Sequence, residues 1–180
     1  LKKHSGYSLY SDALAEAEKI YDTLSRHPKT IRISIAGSLR LHKEIIRDID
    51  LLVSSKKPEV IMETFTKLDS VETITAKGET KSSVLLKSGI QADLRVVTDT
   101  EFPYALHHFT GSKEHNTAMR ARAKQMGMKM NEYGLFREPS DKLISCKDEE
   151  EIFKKLRLSC IPPELRENMG EIEAAEKGEI

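Results

Sequence analysis

Between residues 31 and 53 the chain reads IRISIAGSLRLHKEIIRDIDLLV, an Ile-rich apolar run that breaks at Gly37-Ser38 and resumes as Asp48-Ile49-Asp50-Leu51-Leu52-Val53. The pattern predicts a strand at 31–36, a tight turn, a short helix around 39–46 and a strand at 48–53. Upstream, Ala13, Ala17, Ile20 and Leu24 recur at helical spacing with Glu16, Glu18 and Lys19 outside the stripe. This predicts a helix capped by Ser11 or Asp12, running to about Ser25 and stopped by His27-Pro28. Pro58 suits the first residue of a further helix, with Ile61, Phe65 and Leu68 on one face. Residues 83–87 and 91–97 read as a hairpin around Ser88-Gly89, with Asp93, Arg95 and Val97 on one face of its second strand and Ala92, Leu94 and Val96 on the other.

After Thr100 the texture changes, and a new unit is expected to start near Glu101. Residues 102–109 read as a helix, and Thr110-Gly111-Ser112 as a break. Ser112 then caps a helix that runs to Gln125 or Met126 and ends at Gly127. Short strands are expected at 129–131, 135–137 and 143–145. The acidic run from Asp148 to Glu151 favours the first turn of a last helix through the helix dipole. Beyond Leu158 come Pro162-Pro163 and a charged stretch, read as a linker or extended arm. No internal repeat is found.

A length of 180 residues allows one medium domain or two small ones. Lys+Arg and Asp+Glu are 29 each, so overall charge says nothing about a nucleic-acid partner. Its distribution does. From 112 to 137 there are six basic residues (Lys113, Arg120, Arg122, Lys124, Lys129, Arg137) against Glu114 and Glu132, whereas 148–180 holds ten acidic and five basic ones. A basic segment in a neutral chain fits a phosphate-contacting surface, or a solvated helix face. Cys146 and Cys160 have neither metal-site nor disulfide-framework spacing, so both are expected as reduced thiols in a cytoplasmic protein. No apolar run reaches transmembrane length, no signal-like apolar core follows residues 1–6, and the start at Leu1 suggests an excised fragment.

Residues i and i+2 of a strand share a face, so Asp48 and Asp50 point the same way, roughly 6.5–7 Å apart at Cα. Two such carboxylates raise each other's pKa unless a cation stands between them. Oxygen-only ligands favour Mg²⁺. The Gly37-Ser38 turn ends a strand and begins a helix, a place where free N–H groups receive an anion. Taken singly these are an ordinary turn and a solvated strand end; together they point to nucleotide chemistry. Asp93, alone an exposed strand charge, becomes a third acid for the same site.

Four segments carry a resemblance: AGSLR at 36–40, DIDLLV at 48–53, ADLRVV at 92–97, and HHFTGSKEHNTAMRARA at 107–123 followed by NEYGLF at 131–136. In this order and spacing they resemble the family X DNA polymerases, the group that includes DNA polymerase beta, and in particular the bacterial and archaeal members. The first two segments are shared with the wider nucleotidyltransferase superfamily; the others are specific. IPPELREN at 161–168 and GEIEAA at 170–175 resemble the segment leading into a C-terminal PHP domain.

The resemblance implies an α+β fold. Residues 1–98 would be a nucleotidyltransferase palm with a mixed sheet and covering helices, 99–158 a small α+β nucleotide-binding subdomain that closes over the nucleotide, and 159–180 a linker. It implies two Mg²⁺ ions, with Mn²⁺ as an alternative. Asp48 and Asp50 would bind both, and Asp93 would bind the catalytic one and help deprotonate the primer 3′-hydroxyl. Gly37, Ser38 and Arg40 would hold the triphosphate, His108, Phe109 and Gly111 would pack the sugar, and Lys113 and Asn116 would lie near the base. Lys81, Arg95, Arg120 and Tyr133 would contact DNA, with Glu132 and Tyr133 shaping the closed state. The implied activity is template-directed addition of dNTP to a primer on gapped duplex DNA, as in base excision repair, by a monomer.

Two departures stand out. Leu41 replaces the second basic residue that the family usually carries after GSxR, and Arg47 replaces the usual Gly before the acidic pair; Arg47 is expected to substitute at the phosphates. Gln91 stands where DNA polymerase beta carries Arg. The rivals are a nucleotidyltransferase acting on RNA ends, proteins or small molecules, against which segment 107–123 argues, and a DNA-binding module that has lost activity.

Overall fold

Every second residue of the strand Gln91–Val97 is buried, and so are the apolar residues of the strand Asp48–Ser54 beside it. This alternation sets the architecture of the first of two compact units, which divide at Asp99/Thr100 in a computed structural model describing residues 8–180. The reading of residues 1–6 as lacking a signal-like core lies outside the described residues.

The first unit runs β1 (Ser8–Leu9), α1 (Tyr10–Ser25), β2 (Arg32–Ala36), α2 (Gly37–Arg40), β3 (Ile45–Ile46), β4 (Asp48–Ser54), α3 (Pro58–Thr66), β5 (Val71–Lys77), β6 (Lys81–Leu86) and β7 (Gln91–Val97). Five strands form one mixed sheet in the order β2-β4-β7-β6-β5, in which β4 and β7 are parallel and the other pairs antiparallel. Ile49, Leu51, Val53, Ala92, Leu94 and Val96 share one face. They pack with Ala17, Ile20 and Leu24 of α1 and Ile61, Met62 and Phe65 of α3 into one buried cluster. With both helices spent on that face, the opposite face of β4 and β7 carries the polar residues Asp48, Asp50, Ser54, Gln91, Asp93 and Arg95 together with Leu52 and Val97.

Three local expectations change. Helix α1 starts at Tyr10, so Ser11 and Asp12 lie inside its first turn, and its N-cap Leu9 supplies no side-chain bond. The helix expected at 39–46 is a single turn, α2. Its last residues instead form β3, which pairs with β1 (Ser8 opposite Ile46), after a left-handed residue at His42 (φ 61°). Adjacent β-branched Ile45 and Ile46 favour the extended form. Strand β5 was not expected: it is a largely exposed sheet edge with two register shifts, so no buried face marks it in the sequence.

The second unit runs α4 (Phe102–Thr110), α5 (Lys113–Gln125), β8 (Met128–Asn131), β9 (Gly134–Arg137), β10 (Lys142–Leu143), α6 (Glu149–Lys155), a 3₁₀ turn (Pro163–Leu165) and α7 (Glu171–Glu176). The strands form an antiparallel sheet, β10-β9-β8, and the whole chain is α+β. Ser112 Oγ accepts the His115 N–H and caps α5, and Asp148 caps α6 through the Glu151 N–H. Gly127, at φ 76°, ends α5. Cys146 is buried and Cys160 exposed, and neither is in a disulfide. No helix among the described residues is long and apolar enough to cross a membrane.

The segment beyond Leu158 is not the extended arm expected from its prolines and charges. Ile161, Ile172 and Ala175 sit in the core with Phe153 and Leu156. The Arg166 side chain, 1% exposed, bonds Glu149 at 2.8 Å and the Ile161 carbonyl, and its guanidinium lies 5.1 Å above the Phe153 ring. A cation fully removed from water needs this full set of partners. Three core residues spaced widely among charges give no readable period. Ile161→Ala is expected to destabilise the second unit by about 2–4 kcal/mol in urea unfolding; a loss below about 0.5 kcal/mol would restore the arm reading.

Candidate functional site

The parallel register of β4 and β7 places Asp48 opposite Gln91 and Asp50 opposite Asp93, while β2 brings Ala36 opposite Asp50. Because the alternating apolar residues face the helices, all three acids project from the other face. Lys81 pairs with Arg95, and Ser83 with Asp93, on that same side. The turn after β2 sits directly on Asp50: Gly37 has φ +62°, and a Cβ there would meet Asp50 Cγ at 3.0 Å and its Oδ2 closer still. Only glycine allows both the left-handed backbone and the approach.

The electrostatics of this face are strained in a consistent direction. Burial, then Asp93 and Asp48, push the Asp50 carboxyl up to about 7, against the opposing pull of Arg95 and Lys81. Burial and Asp93 also raise Asp48, while Arg47 lowers it. Asp93 receives a 3.0 Å bond from Gln91 Nε2 at its Oδ1. Three carboxylates with hard oxygen donors suit Mg²⁺ or Mn²⁺ in chemistry and charge. They do not form a closed cage, for among the described residues no three His, Cys, Asp or Glu side chains stand in metal-binding geometry. Asp50 lies against Gly37 and Asp93 is held by Gln91, so bringing all three onto one cation requires side-chain rotation.

Arg40 ends the single turn of α2, and Leu41, 9% exposed, packs as a core residue at its C-terminus. Arg47, on the residue preceding β4, is exposed. Gly37, Ser38 and Arg40 are thus gathered at the turn above Asp50, and Lys81 and Arg95 flank the acids on neighbouring strands.

In the second unit the sequence-predicted residues gather around the α4–α5 turn. His108 pairs with Glu132 at 3.2 Å, and its ring meets Phe109 edge-on with centroids 4.8 Å apart. Asn116 Nδ2 donates to the His108 carbonyl at 2.8 Å, and its buried Oδ1 has no partner among the described residues. Gly111 takes φ 78°, and Lys113 is the exposed first residue of α5. Arg120, exposed on α5, joins Lys124, Lys129, Met128 and Met130 along a groove of about 530 Å³. Tyr133 is 60% exposed in the β8–β9 turn, away from the core, where Asn131 Oδ1 accepts its N–H.

Beneath this turn lie residues to which the sequence reading gave no role in the site. His107 and His115 are buried, with their Nε2 atoms 3.1 Å apart, and His115 Nδ1 lies 2.7 Å from Glu171 Oε2. Nothing in the pattern marked His115, and Glu171 fell in the stretch taken for an arm.

Residues 105–167 match the DNA polymerase beta thumb family. The chain is 37% identical over 163 residues to the DNA polymerase/3′-5′ exonuclease PolX of Bacillus subtilis, covering 89% of this chain and 29% of that protein. It is 29% identical over 140 residues to the repair DNA polymerase X of African swine fever virus, covering 74% of this chain and 80% of the viral protein. Human DNA-directed DNA/RNA polymerase mu is 36% identical over 78 residues, or 43% of this chain and 16% of the human protein.

A raised folded-state carboxyl keeps its proton where the unfolded chain has lost it, so its stabilising contribution is lost as pH rises from about 4 to about 7. In metal-free protein the stability of Asp50→Asn relative to wild type is therefore expected to grow across that range, by an amount on the order of 2 kcal/mol. Urea unfolding at pH 5 and pH 8 measures it; a difference independent of pH would contradict the assignment. The shared motifs, the thumb match over residues 105–167 and the bacterial and viral relatives agree: the chain is similar to the family X DNA polymerases over most of its length.

Proposed function

We propose that this chain catalyses template-directed addition of a deoxynucleotide to a DNA primer with release of pyrophosphate, in the filling of short gaps during repair. The observation that carries the reading is the β4–β7 register, which sets Asp50, under a glycine turn, beside Asp93 and leaves Asp48 on the same face. Asp48, Asp50 and Asp93 would hold two Mg²⁺ ions, with Mn²⁺ able to replace them. Bound there, the cations would neutralise charge on the attacking and leaving oxygens of an in-line displacement.

The chain's own residues do the positioning. Gly37 and Ser38 would receive the triphosphate at the α2 turn, with Arg40 and Arg47 adding positive charge. Asp93, one oxygen held by Gln91, would take the proton of the primer 3′-hydroxyl at the other. His108, Phe109 and Gly111 would pack the sugar, and Asn116, whose buried Oδ1 has no partner among the described residues, would lie near the base with Lys113. Arg120 and the basic groove beside it suit the phosphates of the template strand, and Lys81, Arg95 and Tyr133 further contacts to DNA. The palm and nucleotide-binding roles would thus divide between the two units. The full reaction of the longer Bacillus relative is a wider question, since this chain spans 29% of its length.

Extension of a labelled primer across a one-nucleotide gap, with Mg²⁺ and each dNTP, tests the proposal. Template-matched addition is expected, and Asp93→Ala should lower it about 10³-fold or more. DNA binding without any addition would favour an inactive DNA-binding module instead. With Leu41 packed in the core, Arg47 is the residue available to supply the missing phosphate charge. Arg47→Gly should raise the dNTP KM about 10-fold, the loss of one charged contact; an unchanged or lower KM rejects that role.

A further inference from the structure

The segment from Arg166 to Glu171 grips the α4–α5 turn at two points. The Arg166 carbonyl accepts the Ser112 N–H at 2.9 Å, and Glu171 Oε2 accepts His115 Nδ1–H at 2.7 Å. Glu171 is in turn fixed by the N–H groups of Asn168 (2.9 Å) and Met169 (2.7 Å), which the left-handed residues Asn168 and Gly170 turn toward it. These donors outweigh the burial that works against its charge and hold its carboxyl below the usual range. His115, fully buried, is kept neutral by that burial, so with Nδ1–H given to Glu171 its Nε2 accepts from His107 Nε2–H. The hydrogen-bond chain therefore runs Glu171–His115–His107 without a gap.

The gripped residues are not scattered. His107 precedes His108, Ser112 lies between Gly111 and Lys113, and His115 precedes Asn116. Each is the immediate neighbour of a residue assigned above to the nucleotide. A buried polar network of this sort contributes little stability over apolar packing of the same volume, but fully satisfied it holds one geometry. We infer that Glu171, acting through His115 and His107, and Arg166, acting through Ser112, are positioning residues that set the nucleotide-contacting turn from the far end of the chain. This rests on the nucleotide reading of His108, Gly111, Lys113 and Asn116.

Glu171→Gln tests it. The side chain keeps its size, but one amide oxygen cannot accept all three donors that the carboxylate holds. In gap-filling extension the dNTP KM is expected to rise about 5- to 20-fold with kcat within about 2-fold and affinity for gapped DNA unchanged. A KM within 2-fold of wild type, or a parallel loss of DNA affinity and kcat, overturns the inference. Amide hydrogen exchange gives a second readout that needs no activity. Ser112 and Asn116 should exchange faster in the variant while the amides of β4 and β7 are unchanged; equal rates at Ser112 and Asn116 overturn it. If the wild type extends no primer, the polymerase reading falls and exchange alone decides whether the grip exists.

Discussion

The pairing of β4 with β7 is the constraint on which the first unit depends. Parallel alignment brings Asp50 beside Asp93, a juxtaposition that electrostatics opposes, and the apolar residues between them supply what holds it. Ile49, Leu51, Ala92 and Leu94 are buried to within 2% of complete exclusion, and a one-residue slip of either strand would turn its own two to the other face. The acids are therefore kept together by the core beneath them. Their repulsion is left as a standing preference for positive charge, partly met by Arg95, Lys81 and Arg47.

Gly37 extends the same logic to the turn after β2. A side chain at this position would occupy the space of the Asp50 carboxylate, so the turn can come down onto the acid only as glycine. In the second unit the equivalent work is done by polar bonds instead of close backbone approach. Arg166, His115 and Glu171 are buried; Arg166 pairs with the half-buried Glu149 and His115 with Glu171, and the Arg166 carbonyl and the Glu171 carboxylate tie the end of that unit to the start of α5.

Elements with a strong period and a buried face were legible in the sequence: α1, β4 and β7 with their facing residues, the Ser112 cap, the acidic first turn of α6, and the stop at Gly127. The three acids on one face could be placed from i, i+2 spacing and motif order, but their opposition across two strands needed the parallel register, which no local pattern encodes. Features held by long-range contacts were not legible. Ile45-Ile46 pairs with a two-residue strand at the other end of α1, β5 has almost no buried side, and the segment after Leu158 hides its core residues among prolines and charges. Leu41 and Arg47 were readable as departures, whereas the core packing of Leu41 was not.

The central claim is that the Asp48–Asp50–Asp93 face is poised for divalent cation and holds a proton on Asp50 in its absence. Calorimetric titration of the metal-free protein with Mn²⁺ near pH 6.5, in two buffers of different ionisation enthalpy, measures binding and proton release together. The account predicts binding accompanied by release of a fraction of a proton per chain, with the release lost in Asp50→Asn. Binding without proton release, or no binding at millimolar Mn²⁺, would contradict it.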